Sequence, residues 1–196
     1  MELLLLARHG QSELNVKGVV NGDPTRDPGL TDVGREQAES LGRQIAGVTI
    51  DLCVASLFLR AQQTAHIASG RVPELVDGGL NDIQVGELEG RTLADYRAWK
   101  HAHTRDDAFP GGESLNDAAR RYADAFERLL ACDEHTIFVV CHEIPVRYAV
   151  NAAAGSTDLD GPLHDVANAS PYVFDAAGLR RAVDGMRAAA ESLERA

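Results

Sequence analysis

The chain has 196 residues, 44% of them hydrophobic and 25% charged, enough for one folded domain over 1–196 with a sizeable core. Its 19 Lys and Arg against 30 Asp and Glu give a formal net charge of −11, which disfavours nucleic acid and anionic membrane surfaces as partners. A small anionic ligand is still compatible, because screening acts over about 8 Å at physiological salt and a few cations lining a pocket outweigh distant carboxylates.

The first predicted element is a strand over ELLLLAR, apolar on every residue as central parallel strands are. The run is too short to span a membrane, and Glu2 stands where a signal peptide would carry a basic segment, so a cytoplasmic protein is expected. Residues 10–30 are rich in Gly, Asn, Asp and Pro and read as a long, functional loop. Thr31 is placed to cap a helix through Val33, Ala38, Leu41 and Ile45. DLCVAS, residues 51–56, predicts a second strand, and a helix follows from about Leu59 to Ser69. LVDGGLND and VGELEGRT read as turns and loops, and helical patterns cover roughly 92–102 and 114–131. HTIFVVCHE holds the third strong strand, and Pro145 suits the first turn of the next helix. PYVFDAAGLRRAVD reads as a hairpin turning at Ala-Ala-Gly, and the tail from Gly185 as a polar Ala-rich helix or a frayed end.

Three cysteines, Cys53, Cys132 and Cys141, make an odd set without a C-x-x-C pair, which argues against a disulfide framework or a structural zinc site. Cys53 and Cys141 sit in apolar runs and read as small core residues. Gly112-Glu113-Ser114 and Gly10-Gln11-Ser12 lack the closing glycine of a nucleophile elbow. There is no G-x-G-x-x-G and no P-loop, so dinucleotide and nucleoside triphosphate sites have no support. The spacing of His101 and His103 is wrong for one helix face, and no metal site is expected.

Strands that alternate with helices predict an α/β sheet covered on both faces, with ligands at the carboxyl ends of its strands. Two of the strong strands end in histidine, at Arg8-His9-Gly10 and Cys141-His142-Glu143, and the strand ending at Ser56 is followed by Arg60. Those ends converge His9, His142, Arg8 and Arg60 on an anion pocket, for which a phosphate is the natural guest because guanidinium forks match its oxygens in pairs. Gly10 is expected to let the backbone approach the ligand, and Asn15 to add an amide hydrogen bond. Ser12 either bonds the phosphate or caps a local turn. The other histidines, 66, 101, 103, 135 and 164, read as bystanders.

RHGQSELN, SLFLRAQQTA, GELEG, FPGGES and the strand-ending CHE, in this order, resemble the histidine phosphatase superfamily, also called phosphoglycerate mutase-like, from Leu3 to about Val150. The resemblance implies a three-layer α/β/α sandwich with a mostly parallel central sheet and a small helical cap over roughly 92–115. It implies that His9 is the nucleophile, that Arg8, Arg60 and His142 cradle the phosphoryl oxygens with Asn15 beside them, and that a carboxylic acid shuttles the proton, without metal or other cofactor. In physical terms the nucleophilic imidazole has to be neutral, whereas a charged His142 would serve the phosphate better.

The acid is where the sequence departs. The family pattern L-x-E-x-x-x-G-x-x-E-G reads LNDIQVGELEG here, which places Asp82 at the proton donor's position, with Glu87 as the alternative acid. Cys141 and Glu143 around His142 also replace the commoner Ser-His-Gly. The expected activity is a metal-independent phosphoric monoester hydrolase acting through phosphohistidine on a small phosphorylated metabolite. The alternatives are a cofactor-dependent phosphoglycerate mutase and a catalytically silent phospho-ligand binder. Family mutases tend to carry a longer insertion than residues 91–135 and more basic residues near FPGGES, which favours the hydrolase. The substrate would be chosen by the cap, where Tyr96, Trp99 and Phe109 either line an apolar rim or pack the cap itself. A homodimer is compatible with the sequence, which does not specify oligomeric state.

Overall fold

Leu3–Arg8 (β1) has a hydrogen-bonded neighbour on each side in the computed structural model, which describes residues 1–191. It pairs in parallel with Thr136–Cys141 (β4), Arg8 opposite Cys141, and antiparallel with Pro171–Asp175 (β5). Leu52–Ala55 (β2) runs parallel on the far side of β4, and the two-residue Leu75–Val76 (β3) completes the order β3-β2-β4-β1-β5. The sheet is thus mostly parallel, and β1, β2 and β4 present their carboxyl ends along one edge.

Helices cover both faces. Asp32–Ile45 (α2, following the short α1, Glu13–Lys17) and Leu59–Ser69 (α3) pack together on one side. Leu93–Ala102 (α4) stands over the pocket, while Leu115–Leu130 (α5), Glu143–Ala153 (α6) and Ala176–Glu191 (α7) pack on the other face. Because side chains alternate along a strand, Leu4 and Leu6 join Ile137, Val139, Tyr122, Phe126 and Tyr148 on the α5–α7 side. Leu5 and Ala7 join Phe138, Val140, Leu41 and Ala65 on the α2–α3 side. Neither face meets water, which is why LLLLA carries no polar alternation. Burying each leucine contributes roughly 1.5–3 kcal/mol.

The predicted hairpin at 171–184 is instead a strand and a helix. Ala176 and Ala177 are strong helix formers, and Asp175 Oδ1 accepts the Gly178 N–H at 2.6 Å, so Asp-Ala-Ala-Gly starts α7 rather than reversing the chain. β5 finds its partner in β1. The tail is helical from Gly185 to Glu191, and positions 192–196 lie outside the described residues. Cys53 and Cys141 are fully buried in the core. No helix among the described residues is long and apolar enough to cross a membrane.

Candidate active site

β1 delivers Arg8 and His9, β4 delivers His142, and α3 delivers Arg60 from its second residue; the His9 and His142 rings lie 5.2 Å apart, centroid to centroid, edge to face. Arg60 stands between them. Its Nε donates to His9 Nε2 at 3.0 Å and its Nη2 lies 3.3 Å from His142 Nδ1. A guanidinium only donates, so both ring nitrogens accept. The protons therefore sit on His9 Nδ1, which donates to the Gly10 carbonyl at 2.6 Å, and on His142 Nε2, which donates to Ser56 Oγ at 2.8 Å.

Both rings are neutral. Burial first, then the Arg60 and Arg8 charges, hold His9 well below the ordinary imidazole value, although the Gly10 carbonyl bond works the other way. Burial, Arg60 and His9 do the same to His142. The charge expected on His142 is thus disfavoured, because the arginine against its Nδ1 already supplies the cation.

Arg60 is itself held by Asp82 and by three residues that drew no notice in the sequence, Asn21, Asp27 and Phe58. Its Nη1 donates to Asn21 Oδ1 at 2.5 Å and lies 3.5 Å from Asp27 Oδ2, its Nη2 is 3.7 Å from Asp82 Oδ2, and its guanidinium stacks on Phe58. Asn21 in turn donates to Glu89 Oε1, whose other oxygen accepts the Gly22 N–H. The signal for this support was present in N-G-D-P and in the last glutamate of GELEG, but both read as loop chemistry.

Asp82 lines the pocket with its side chain 23% exposed, and its Oδ2 is 3.7 Å from His142 Nδ1. Burial pushes its carboxyl above the ordinary aspartate value and Glu143 adds to the push, while Arg60, the Ile83 N–H and Arg8 oppose. Glu87 lies outside the pocket, exposed on the 3-10 turn Gly86–Leu88. Arg8 donates through Nη1 to the Val166 carbonyl at 2.7 Å and pairs there with Glu143 at 3.1 Å, and its buried Nε has no partner among the described residues.

Ser12 is the N-cap of α1, in a reciprocal capping box with Asn15; both residues line the pocket. Gly10 is needed where β1 meets α2. A Cβ there would collide with the Gly34 carbonyl oxygen, and a Cβ at Gly34 with the Gln11 carbonyl oxygen, so the two glycines seat the β1 tip on α2.

The pocket, about 570 Å³, is walled on its outer side by α4. Arg97, Lys100 and His101 line it, so His101 is no bystander in position, and His164 also reaches the lining. Phe109 packs the cap rather than its rim: it is buried and stacks 4.0 Å from Trp99 and 5.5 Å from Tyr96. His103 stacks on Trp99. Lys100, Arg105 and Arg147 all reach Asp160, at 3.5, 2.6 and 2.9 Å.

Two imidazoles, two guanidinium groups and a carboxyl gathered at the ends of parallel strands form an arrangement suited to phosphoryl transfer. The chain belongs to the histidine phosphatase superfamily (branch 1), whose family model matches residues 4–189. It is 38% identical over 135 residues to a 2,3-bisphosphoglycerate-dependent phosphoglycerate mutase of Methylobacterium sp., a match spanning 61% of this chain and 63% of that one. It is 32% identical over 173 residues to the protein of the same name from Brucella melitensis, 79% of this chain and 82% of that one. Among solved structures it resembles an alpha-ribazole phosphatase from Shigella flexneri, with a TM-score of 0.76 and 26% identity, covering 88% of this chain and 90% of that one. A mycobacterial glucosyl-3-phosphoglycerate phosphatase in complex with VO3 matches with a TM-score of 0.72 and 26% identity, covering 88% and 92%. Family and neighbours make the chain an enzyme of phosphatase or mutase type.

Proposed function

We propose that the chain is a phosphomonoester hydrolase that works through phosphohistidine at His9 on a small phosphorylated metabolite. The observation that carries this reading is the His9 ring: neutral, with Nδ1–H fixed on the Gly10 carbonyl and the Nε2 lone pair facing Arg60 at the pocket. In the first step Nε2 attacks phosphorus, the P–O ester bond breaks, and the proton of Asp82 passes to the leaving oxygen. The Gly10 carbonyl then supports the N–H of the charged phosphohistidine ring. In the second step the Asp82 carboxylate takes a proton from water, the water oxygen attacks phosphorus, and the N–P bond breaks to release phosphate and neutral His9. Splitting one displacement in two, with Arg8, Arg60 and the Asn15 amide against the equatorial oxygens, and His142 joining them once Nδ1 takes a proton from solvent on anion binding, is how such a site lowers the barrier.

The mutase reading shares the first step and differs in passing the phosphoryl group to a second hydroxyl. The solved neighbours are named as phosphatases while the sequence relatives are named as mutases, and the short connection 91–135 favours hydrolysis. The test is turnover of p-nitrophenyl phosphate together with rapid-quench trapping of an acid-labile, alkali-stable phosphoprotein. Wild type should show both and His9→Ala neither. Phosphate release that persists in His9→Ala would overturn the reading, and phosphoglycerate interconversion dependent on a bisphosphate primer would assign the mutase instead.

A further inference from the structure

Glu143 follows His142 directly and opens α6 at the inner edge of the pocket. Its Oε2 lies 3.1 Å from Arg8 Nη1 and its Oε1 lies 3.1 Å from Arg147 Nη1, with the side chain one-third exposed. One carboxylate thus holds two arginines that would otherwise present their charge to a ligand. The same matching extends outward. Arg147 Nη2 pairs with Asp160 at 2.9 Å, and Lys100 pairs with Asp160 at 3.5 Å. Arg97 has no ion pair among the described residues, and it shares the pocket lining with Asp165, which has none either. Beyond the phosphate cradle, then, Lys100 and Arg147 of the wall face carboxylates of the chain itself. Between these charges the wall is apolar, from Leu14, Val19, Val20, Leu93 and Ile144.

We propose that Glu143 is a specificity-determining residue, which makes the pocket favour phosphomonoesters of an uncharged, partly apolar alcohol and turn away those whose leaving group carries a second anion. This rests on the hydrolase reading and deepens it. A bound phosphoryl group needs the donors that Arg8 retains; its Nη1 is committed to Glu143 and Val166, while its Nε is unpartnered. A leaving group leaning toward α6 meets the Glu143 carboxylate, which already holds the two guanidinium groups beside it. A hydroxyl there can donate to that carboxylate, whereas a carboxylate or second phosphate is repelled and has to displace it from two arginines.

The test compares sn-glycerol 3-phosphate with 3-phosphoglycerate, two substrates of similar size that differ by a carboxylate. Wild type should favour glycerol 3-phosphate in kcat/KM by about tenfold or more, the fold expected for juxtaposing like charges. Glu143→Gln should shrink that preference by about tenfold, read as the ratio of the two kcat/KM values and chiefly through a lower KM for 3-phosphoglycerate. Glu143→Asp, which keeps the charge, should retain the preference. A wild type that favours 3-phosphoglycerate, or a Glu143→Gln that moves both substrates equally, would overturn the proposal while leaving hydrolysis intact. If p-nitrophenyl phosphate and both esters go unturned, the hydrolase reading fails on its own. The same preference is then read from the calorimetric Kd of the two ligands, where no preference would overturn the role of Glu143.

Discussion

Arg60 Nε lies 3.0 Å from His9 Nε2, so the lone pair placed to attack phosphorus is occupied, in the resting site, by an arginine that also reaches His142. The incoming phosphoryl group has to take over that hydrogen bond. In the proposed mechanism Arg60 therefore does two things: it keeps the imidazole neutral before binding, and it grips the oxygens afterwards. Arg60→Lys retains the charge but loses the fork that touches His9, Asn21 and His142 together. We expect kcat/KM to fall about 100-fold or more, the loss typical of one electrostatic contact to a transition state. Steady-state kinetics on p-nitrophenyl phosphate check this, and a loss under threefold would remove Arg60 from the phosphate cradle.

Asp82 carries the proton in the proposed mechanism, and its carboxyl is pushed above the ordinary aspartate value, first by burial and then by Glu143. The protonated form is lost as pH rises through that elevated value, so kcat for alkyl phosphates should decline on the alkaline side. Asp82→Asn should cost alkyl phosphates roughly 100-fold or more and p-nitrophenyl phosphate, whose leaving oxygen needs little protonation, less than about tenfold. Equal losses on both would take the role from Asp82, and a selective loss in Glu87→Gln would hand it to Glu87.

The chain of contacts Glu89–Asn21–Arg60 predicts a remote effect. Glu89 accepts from both Asn21 Nδ2, at 2.8 Å, and the Gly22 N–H, at 2.7 Å, and Asn21 orients Arg60. Glu89→Gln should lower kcat/KM by about five- to tenfold, within the range that supporting contacts command, although it touches no substrate. Glu89→Asp should recover part of the loss. The pH profile should keep its shape, because Asp82 is untouched, and a shifted alkaline limb would contradict a purely positional role.

Both buried histidines make stability pH-dependent. Their folded values are depressed, mainly by burial, so the unfolded chain takes up protons below about pH 6.5 while the folded chain does not. Stability is fully present above that pH and is lost as pH falls, by up to about 1.4 kcal/mol per pH unit for each ring. Asp82 works in the opposite sense: its folded value is raised, so its contribution is present at low pH and lost as pH climbs through it. Urea midpoints should drop between pH 7 and 5.5, with a smaller slope in His142→Gln. A flat midpoint across that window would contradict two neutral buried rings.

What could be read from the sequence follows physical signal strength. β1 and β4 are legible because both faces of each strand are buried, and the residues at their tips inherit a common edge of a parallel sheet. α1 is not, since its five residues bury no side chain and only the Ser12–Asn15 capping box marks it. β3 is two exposed residues and reads as turn. The strand-to-helix join at Asp175 was hidden because Ala-Ala-Gly satisfies a turn pattern and a first helical turn equally well. Arg97 and Lys100 could not be assigned to the pocket, because a helix of half-exposed residues does not declare which face overlooks a cavity. Gly10 does mark a close approach, and the neighbour the sequence did not disclose is the backbone of α2 at Gly34.

Asp160 joins Lys100 and Arg105 of the segment over the pocket to Arg147 of α6. Lifting that segment would take Lys100 and Arg105 from a partly buried carboxylate and leave it Arg147 alone. The roof is therefore pinned to the body of the domain at one carboxylate, and raising it has to break both of those ion pairs at once.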